Sequence, residues 1–320
     1  MTRIDRKLLQ GVRKLYLKIS GKSECQGRDW KRYSNKEYAS ELIRRELSAE
    51  KPSMIARLGY TELACLVNYL GVSRSHREVW RYLRGEVPQW WWNENIVQQM
   101  QMWSGFFPTS SELLERFSLR MIKDMREVDI LGSWLREELF FRRELEQARM
   151  VVLEDLEPFF CRQPWTWILE GKNVLIVHPF TETIRSQYRK RELLFDNGLL
   201  PPFELQLLKA VQSLGGEQVG FSDWFSALKH MEDEIDRRNY DICIIGCGAY
   251  GFPLAAHVKR RGKKAIHLGG VTQLLFGIKG SRWEEYIVWP YRNLFNEHWV
   301  RPKEQEQIGN SAKVEGACYW

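Results

Sequence analysis

Two glycine-bracketed turns carry residue types that could hold a phosphorylated ligand. The first closes an apolar run, Asp241-Ile242-Cys243-Ile244-Ile245, and reads Gly246-Cys247-Gly248-Ala249-Tyr250-Gly251. The second follows a shorter run from Ala265 to Leu268, which contains His267, and reads Gly269-Gly270. β-Branched apolar runs bounded by glycine suit strands buried on both faces. Glycine is needed where the chain reverses tightly or a ligand nears the backbone. In open α/β sheets ligands sit beyond the carboxyl ends of strands, where both turns fall. Gln273, Lys279, Gly280 and Arg282 follow, and cations beside backbone amides suit a pyrophosphate.

Two further strand-to-helix turns carry charge or imidazole. Arg57-Leu58-Gly59 follows the run Met54 to Ala56 and precedes Glu62; His178 ends the run Asn173 to Val177 and precedes Glu182. If the strands are parallel neighbours, all four turns open on one edge of the sheet. Glu62, Glu182 and His178 could each take a proton from an acceptor hydroxyl, and residue type alone does not rank them. Glycines also serve helix–strand packing, and a lone histidine after a strand is commonly fixed by a structural hydrogen bond.

Gly246-x-Gly248-x-x-Gly251 also fits the dinucleotide fingerprint, which expects a carboxylate about twenty residues on for the ribose. Here the next strand ends Ile266-His267-Leu268-Gly269, without one. NAD binding is therefore not expected. A nucleotide-dependent oxidoreductase and a non-catalytic nucleotide- or sugar-binding protein stand as the competing readings.

These turns need a framework, and the chain supplies alternating strands and helices. Apolar spacing predicts helices over Lys36–Leu47, Thr61–Leu70, Asn95–Trp103, Ser111–Met125, Pro253–Arg261 and a segment begun by Asp223. It also predicts a charged helix over Trp134–Ala148, a mixed-charge helix over Ile184–Phe195 and, after Pro201-Pro202, an apolar helix over Phe203–Leu214. Further short strands are expected at Val128–Gly132 and Met150–Leu153. Residues 23–36 read as a loop. The expected architecture is one Rossmann-like α/β domain over residues 25–302, its sheet mostly parallel, with helices on both faces. A helical insertion spans about 74–148, and a polar, mobile tail spans 303–320.

The 320 residues are long enough for a sizeable core, and 44% hydrophobic with 28% charged residues is ordinary for a globular chain. Six cysteines without a CxxC pair argue for reduced thiols, against a disulfide frame or zinc site. Fourteen tryptophans could include sugar-stacking faces, but most should be core. No apolar run reaches the length of a membrane span, and the amino-terminal stretch lacks a signal-peptide core. Of the net charge of +7, almost all lies in residues 1–22, where seven basic residues meet Asp5 alone. Ile4, Leu8, Val12, Leu15, Tyr16 and Ile19 form an apolar stripe there. Residues 1–24 thus read either as a basic amphipathic helix lying on an anionic membrane or as a helix packed on the body. Nucleic acid is not expected, since no recognisable module follows. The localisation expected is cytoplasmic, with peripheral contact on the inner face of the membrane as an option.

The turn Arg57-Leu58-Gly59-Tyr60-Thr61-Glu62, with the following helix, resembles the Arg-x-Gly-Asp-Gly-Glu signature of GT-D fold glycosyltransferases. The later order is similar too: Gly246-Cys247-Gly248-Ala249, a helix, then Lys264-Ala265-Ile266-His267-Leu268-Gly269-Gly270. The resemblance covers roughly residues 40–283. It implies a Rossmann-like fold, a nucleotide-sugar donor, and a surface-polysaccharide, glycoprotein or lipid-linked acceptor in bacterial glycan assembly. On the reading of the turns given above, Arg57, Gly59, the 246–251 turn, His267, Gly269, Gly270, Gln273, Lys279 and Arg282 are expected to face such a donor. The family's Asp-x-Glu pair is its metal–diphosphate site. Tyr60 replaces that Asp, leaving Glu62 alone as a ligand for Mn2+ or Mg2+, with Lys279 and Arg282 as the alternative source of positive charge.

Overall fold

The computed structural model describes residues 2–21, 35–74, 76–285, 291–314 and 316–320, except the side chain of Arg3. Lys22 and most of the loop read over 23–36 lie outside the described residues. Seven strands form one all-parallel sheet: β1 (Ser53–Arg57), β2 (Ile130–Ser133), β3 (Arg149–Val152), β4 (Asn173–His178), β5 (Glu204–Lys209), β6 (Ile242–Ile245) and β7 (Lys264–His267). Their order is β3-β2-β1-β7-β6-β4-β5. This is the expected Rossmann-like α/β class.

Residue alternation splits the core into two layers, as the two-residue period of a strand requires. Met54 and Ala56 of β1 join one layer with Leu63, Phe117, Trp224 and Leu254. Ile55 between them joins the other with Ile130, Trp165, Ile244 and Leu275. The helices described are α1 (Arg3–Ser20), α2 (Lys36–Ser48), α3 (Tyr60–Val72), α4 (Val79–Leu83), α5 (Glu94–Met102), α6 (Ser111–Asp124), α7 (Thr181–Tyr188), α8 (Trp224–Asp236), α9 (Gly251–Arg260) and α10 (Ser281–Glu285). Polar side chains start several of them as expected: Asn35 accepts from Tyr38 N, Asn93 from Asn95 N, Ser110 from Leu113 N and Asp223 from Ser226 N.

The connections explain where a cleft forms. After β1 and β6 the chain enters the first layer, through α3 (Leu63, Leu66) and α9 (Leu254, Ala255). After β4 and β7 it enters the second, through α7 (Ile184) and the 3-10 segment Gly269–Phe276 (Leu274, Leu275). Neighbouring strands β1, β7, β6 and β4 therefore send their chains to alternating faces. Such divergence opens crevices at the carboxyl edge.

Several expectations need correction. The apolar helix over Phe203–Leu214 is instead the edge strand β5, which pairs with β4 from Glu204 opposite Asn173 to Lys209 opposite His178. The charged helix over Trp134–Ala148 is a short 3-10 segment, Arg136–Phe141, followed by turns. The buried Glu138 carboxylate accepts from Ser133 Oγ, Trp134 N (3.1 Å) and Leu135 N (3.2 Å) and so caps the start of this segment. The mixed-charge helix stops at Tyr188, and a separate turn covers Arg191–Leu193. The stretch read as an insertion also contributes β2, whose pairing with β1 makes it part of the sheet.

The segment after Pro302, expected to be mobile, is folded onto the body. Ile308, Val314, Cys318 and Trp320 are buried, as is Glu306. The Glu306 carboxylate accepts from Glu182 N (2.7 Å), Thr183 N (3.1 Å) and Thr183 Oγ1, at the first turn of α7. A carboxylate at a helix amino terminus satisfies free N–H groups and favours the dipole. Glu306→Ala is expected to lower unfolding free energy by about 1.5–3 kcal/mol, the usual cost of deleting hydrogen bonds to a charged group. Urea unfolding of wild type and variant measures it.

Candidate active site

A cavity of 410 Å³ occupies the carboxyl edge where β1, β7, β6 and β4 end. Arg57, Gly59, Glu62, His178, Gly246, Gly248, Ala249, Tyr250, His267, Gly269, Gly270, Gln273 and Arg282 all line it. Glu182, Gly251 and Lys279 do not. The Glu182 side chain is exposed, 3.8 Å from Arg185, and Lys279 Nζ sits 5.7 Å from the centre of the Phe295 ring.

Arg57 leaves the end of β1 and lies over Trp134, its Cζ 5.2 Å from the ring centre. Trp134 is held in turn by Nε1 donating to Leu58 O at 3.0 Å. On the other side Arg57 presses on the Gly269 turn: a Cβ there would lie 3.0 Å from Nη1, and Gly269 has φ +69°. Arg57 Nε is buried and has no hydrogen-bond partner. Burial lowers the guanidinium's pKa, against the raising effect of Glu62, yet arginine stays charged in proteins. The guanidinium therefore sits in the cavity wall without an ion pair among the described residues.

Glu62 lies in the first turn of α3 and folds over Gly59, where a Cβ would fall 1.8 Å from its Oε2. A side chain at position 59 would push the Glu62 carboxylate out of this place. Arg282 reaches in from α10, its Nη1 3.4 Å from Tyr319 Oη and its Cζ 4.8 Å from that ring's centre. Tyr319 rests on Gly270, where a Cβ would lie 2.5 Å from Cε1.

The two histidines are buried and neutral. Desolvation pushes His178 down to about 3, and its Nδ1 accepts from Phe180 N at 3.0 Å. That assignment leaves Nε2–H as a donor and makes His178 a poor base. His267 is also pushed down to about 3, by burial and then by Arg57, with Nδ1 3.3 Å from Ile245 O.

The glycines of the 246–251 turn mostly serve packing. A Cβ on Gly246 would lie 2.6 Å from Thr272 Oγ1, and one on Gly251 2.2 Å from His267 Cε1. Gly248 (φ +57°) has room. Two of the three fingerprint glycines are therefore taken up by protein neighbours. Tyr250 stacks on Trp224 (5.0 Å, 8°) and its hydroxyl is 3.0 Å from Ser213 Oγ. Gln273 Nε2 is shared among Ile278 O, Lys279 O and Tyr319 O, so its amide fastens the carboxyl-terminal segment.

Sequence reasoning missed Glu157. This carboxylate lines the cavity and accepts from Tyr291 Oη at 2.8 and 3.0 Å. Burial raises its pKa to about 8, against the lowering effect of the Tyr291 hydrogen bond. The acidic run Glu154-Asp155-Leu156-Glu157 follows a predicted strand end and could have marked it. Trp134 and Tyr319 were also missed.

The chain matches no family model, no curated protein and no solved structure.

Among the described residues no group of three or more His, Cys, Asp or Glu side chains is placed to hold a metal ion. Glu62 alone does not make a protein cage for Mn2+ or Mg2+. The donor set among the described residues does not fit a resident divalent ion.

Proposed function

We propose that this protein is a glycosyltransferase that uses a nucleotide-sugar donor. The observation that carries this reading is Arg57: a guanidinium that lines a cavity at the carboxyl edge of a parallel sheet, beside the Gly269 turn, and makes no ion pair among the described residues. A diphosphate is the kind of ligand such a group accepts. The cavity's 410 Å³ is within the range of small-molecule sites. Arg57 and Arg282 would neutralise the leaving diphosphate, where fixed charge in a dry site stabilises a transition state most. His178 Nε2–H would donate to a sugar or phosphate oxygen. Glu157 would take the acceptor hydroxyl's proton as that oxygen bonds to the anomeric carbon and the carbon's bond to the diphosphate oxygen breaks, since a pKa near the working pH suits a general base.

The acceptor would approach through a second cavity of 580 Å³ between α1 and α3, which shares Tyr60 with the first. Calorimetric titration tests the donor half of this reading. A nucleoside diphosphate such as UDP is expected to bind in the presence of a chelator, and NADH is not. Binding of NADH with no response to any nucleoside diphosphate would favour the oxidoreductase reading instead.

A further inference from the structure

The stripe on α1 faces away from the body. Ile4 (79% exposed), Leu8 (67%), Leu15 (59%) and Ile19 (77%) remain in solvent, with Val12 and Tyr16 beside them. Helical geometry places Ile4, Leu8, Leu15 and Ile19 within an arc of about 60°. The helix is fastened by its opposite face. Arg13 is buried, donating to Val87 O (3.0 Å) and Tyr82 O, with its Cζ 4.4 Å from the Tyr82 ring centre. Leu17 packs on Gly85, and Gln10 Nε2 bonds Gln89 Oε1 at 3.3 Å. A helix held this way has chosen to bury its arginine and expose its aliphatic residues. Lys7, Lys14 and Lys18, all exposed, recur at spacings of seven and four along one flank of the stripe. The neighbouring helix α4, which packs on α1, adds Val79 (38% exposed) and Trp80 (77%). No described helix is long and apolar enough to cross a membrane.

We propose that α1 seats the protein on an anionic bilayer, its aliphatic stripe entering the headgroup–acyl boundary and its lysine flank meeting lipid phosphates. An apolar face with flanking lysines is what an interfacial helix presents. An interfacial tryptophan suits the same plane. Charge counts against a second copy of this chain as the covering surface, because an antiparallel two-fold pairing of the stripes brings like lysine flanks together. On the transferase reading, docking here makes the acceptor a membrane-borne one, since Lys7 and Lys14 also line the second cavity. That extension alone rests on the proposed function.

Co-sedimentation of the full chain with vesicles tests the docking. The vesicles are phosphatidylcholine alone, or phosphatidylcholine and phosphatidylglycerol in equal parts. Wild type is expected to pellet with the anionic vesicles and far less with the neutral ones. Leu8→Gln with Leu15→Gln, both at exposed positions, should abolish pelleting. Lys7→Ala, Lys14→Ala and Lys18→Ala should each lower the partition coefficient about fivefold at low salt, and together about a hundredfold. Equal pelleting of wild type and the Gln pair, or no pelleting with either vesicle, overturns the proposal. So does a vesicle-free dimer in sedimentation velocity that the Gln pair makes monomeric, if vesicle binding is absent. Nucleoside diphosphate binding measured without vesicles keeps the two readings apart. Vesicle binding without it leaves the docking standing and removes the transferase reading.

Discussion

Glu157→Gln is expected to lower kcat/KM about 10²–10⁴-fold, the usual contribution of a positioned general base. Gln keeps the shape and can still accept from Tyr291 Oη, which bonds both carboxylate oxygens of Glu157 at 2.8 and 3.0 Å. It removes only the titratable oxygen. The pH profile makes the test specific. Burial raises Glu157 to about 8, so the basic form accumulates as pH rises through that value. Wild-type kcat/KM should climb towards a plateau above about pH 8, and the residual activity of the variant should lack that limb. Stability supplies an independent reading of the same group. Between the ordinary carboxylate range and about pH 8 the folded form keeps a proton that the unfolded form releases. Its contribution to stability is therefore present at low pH and is lost as pH rises through that window. The melting temperature of Glu157→Gln should gain on wild type from pH 5 to pH 8. A flat difference, together with an unchanged rate profile, would remove Glu157 from the chemistry.

Arg57→Met should weaken nucleoside diphosphate binding about ten- to a hundredfold, the loss of a charge-assisted contact of about 1.5–3 kcal/mol. The fold should be kept or gain stability. Arg57 makes no ion pair among the described residues, and its Nε has no partner, so the variant relieves a desolvated charge that Glu62 offsets only in part. Methionine replaces the aliphatic stem and keeps contact with Trp134. Loss of binding with an unchanged or raised melting temperature is the signature of a ligand-directed arginine. Loss of stability in parallel with binding would assign Arg57 to the scaffold, and unchanged affinity would place the diphosphate elsewhere. Calorimetry and thermal unfolding of the same samples decide among these.

Most of the framework was legible. Six of the seven strands were marked by short β-branched or aliphatic runs next to glycine or charge, because a strand buried on both faces must be apolar throughout. The exception, β5, has the sequence Glu-Leu-Gln-Leu-Leu-Lys, made of good helix formers with no β-branched residue. Its strand state comes from pairing along all six positions with β4, a non-local contact that local propensity does not contain. At Arg136–Phe141 Glu138 caps the segment's start through Ser133, Trp134 and Leu135, yet only a short 3-10 segment forms.

By itself the sequence determined the layered α/β class and the four strand ends. It put Arg57, Glu62, His178 and His267 at or just after strand ends, and the parallel order β1-β7-β6-β4 brought those ends to one edge. It determined too that α1 would be basic and amphipathic, since spacing fixes which side chains share a helix face. Tertiary structure decided what those residues can do. It put Glu62 on Gly59 and His267 on Gly251, and it spent the Gln273 amide on the Tyr319 carbonyl. It left Lys279 and Glu182 outside the cavity and brought Glu157, Trp134 and Tyr319 into it. It turned the stripe of α1 outward by burying Arg13. Each of these outcomes depends on which distant segment fills the space beside a residue, and burial by that segment sets both a side chain's partners and its proton affinity.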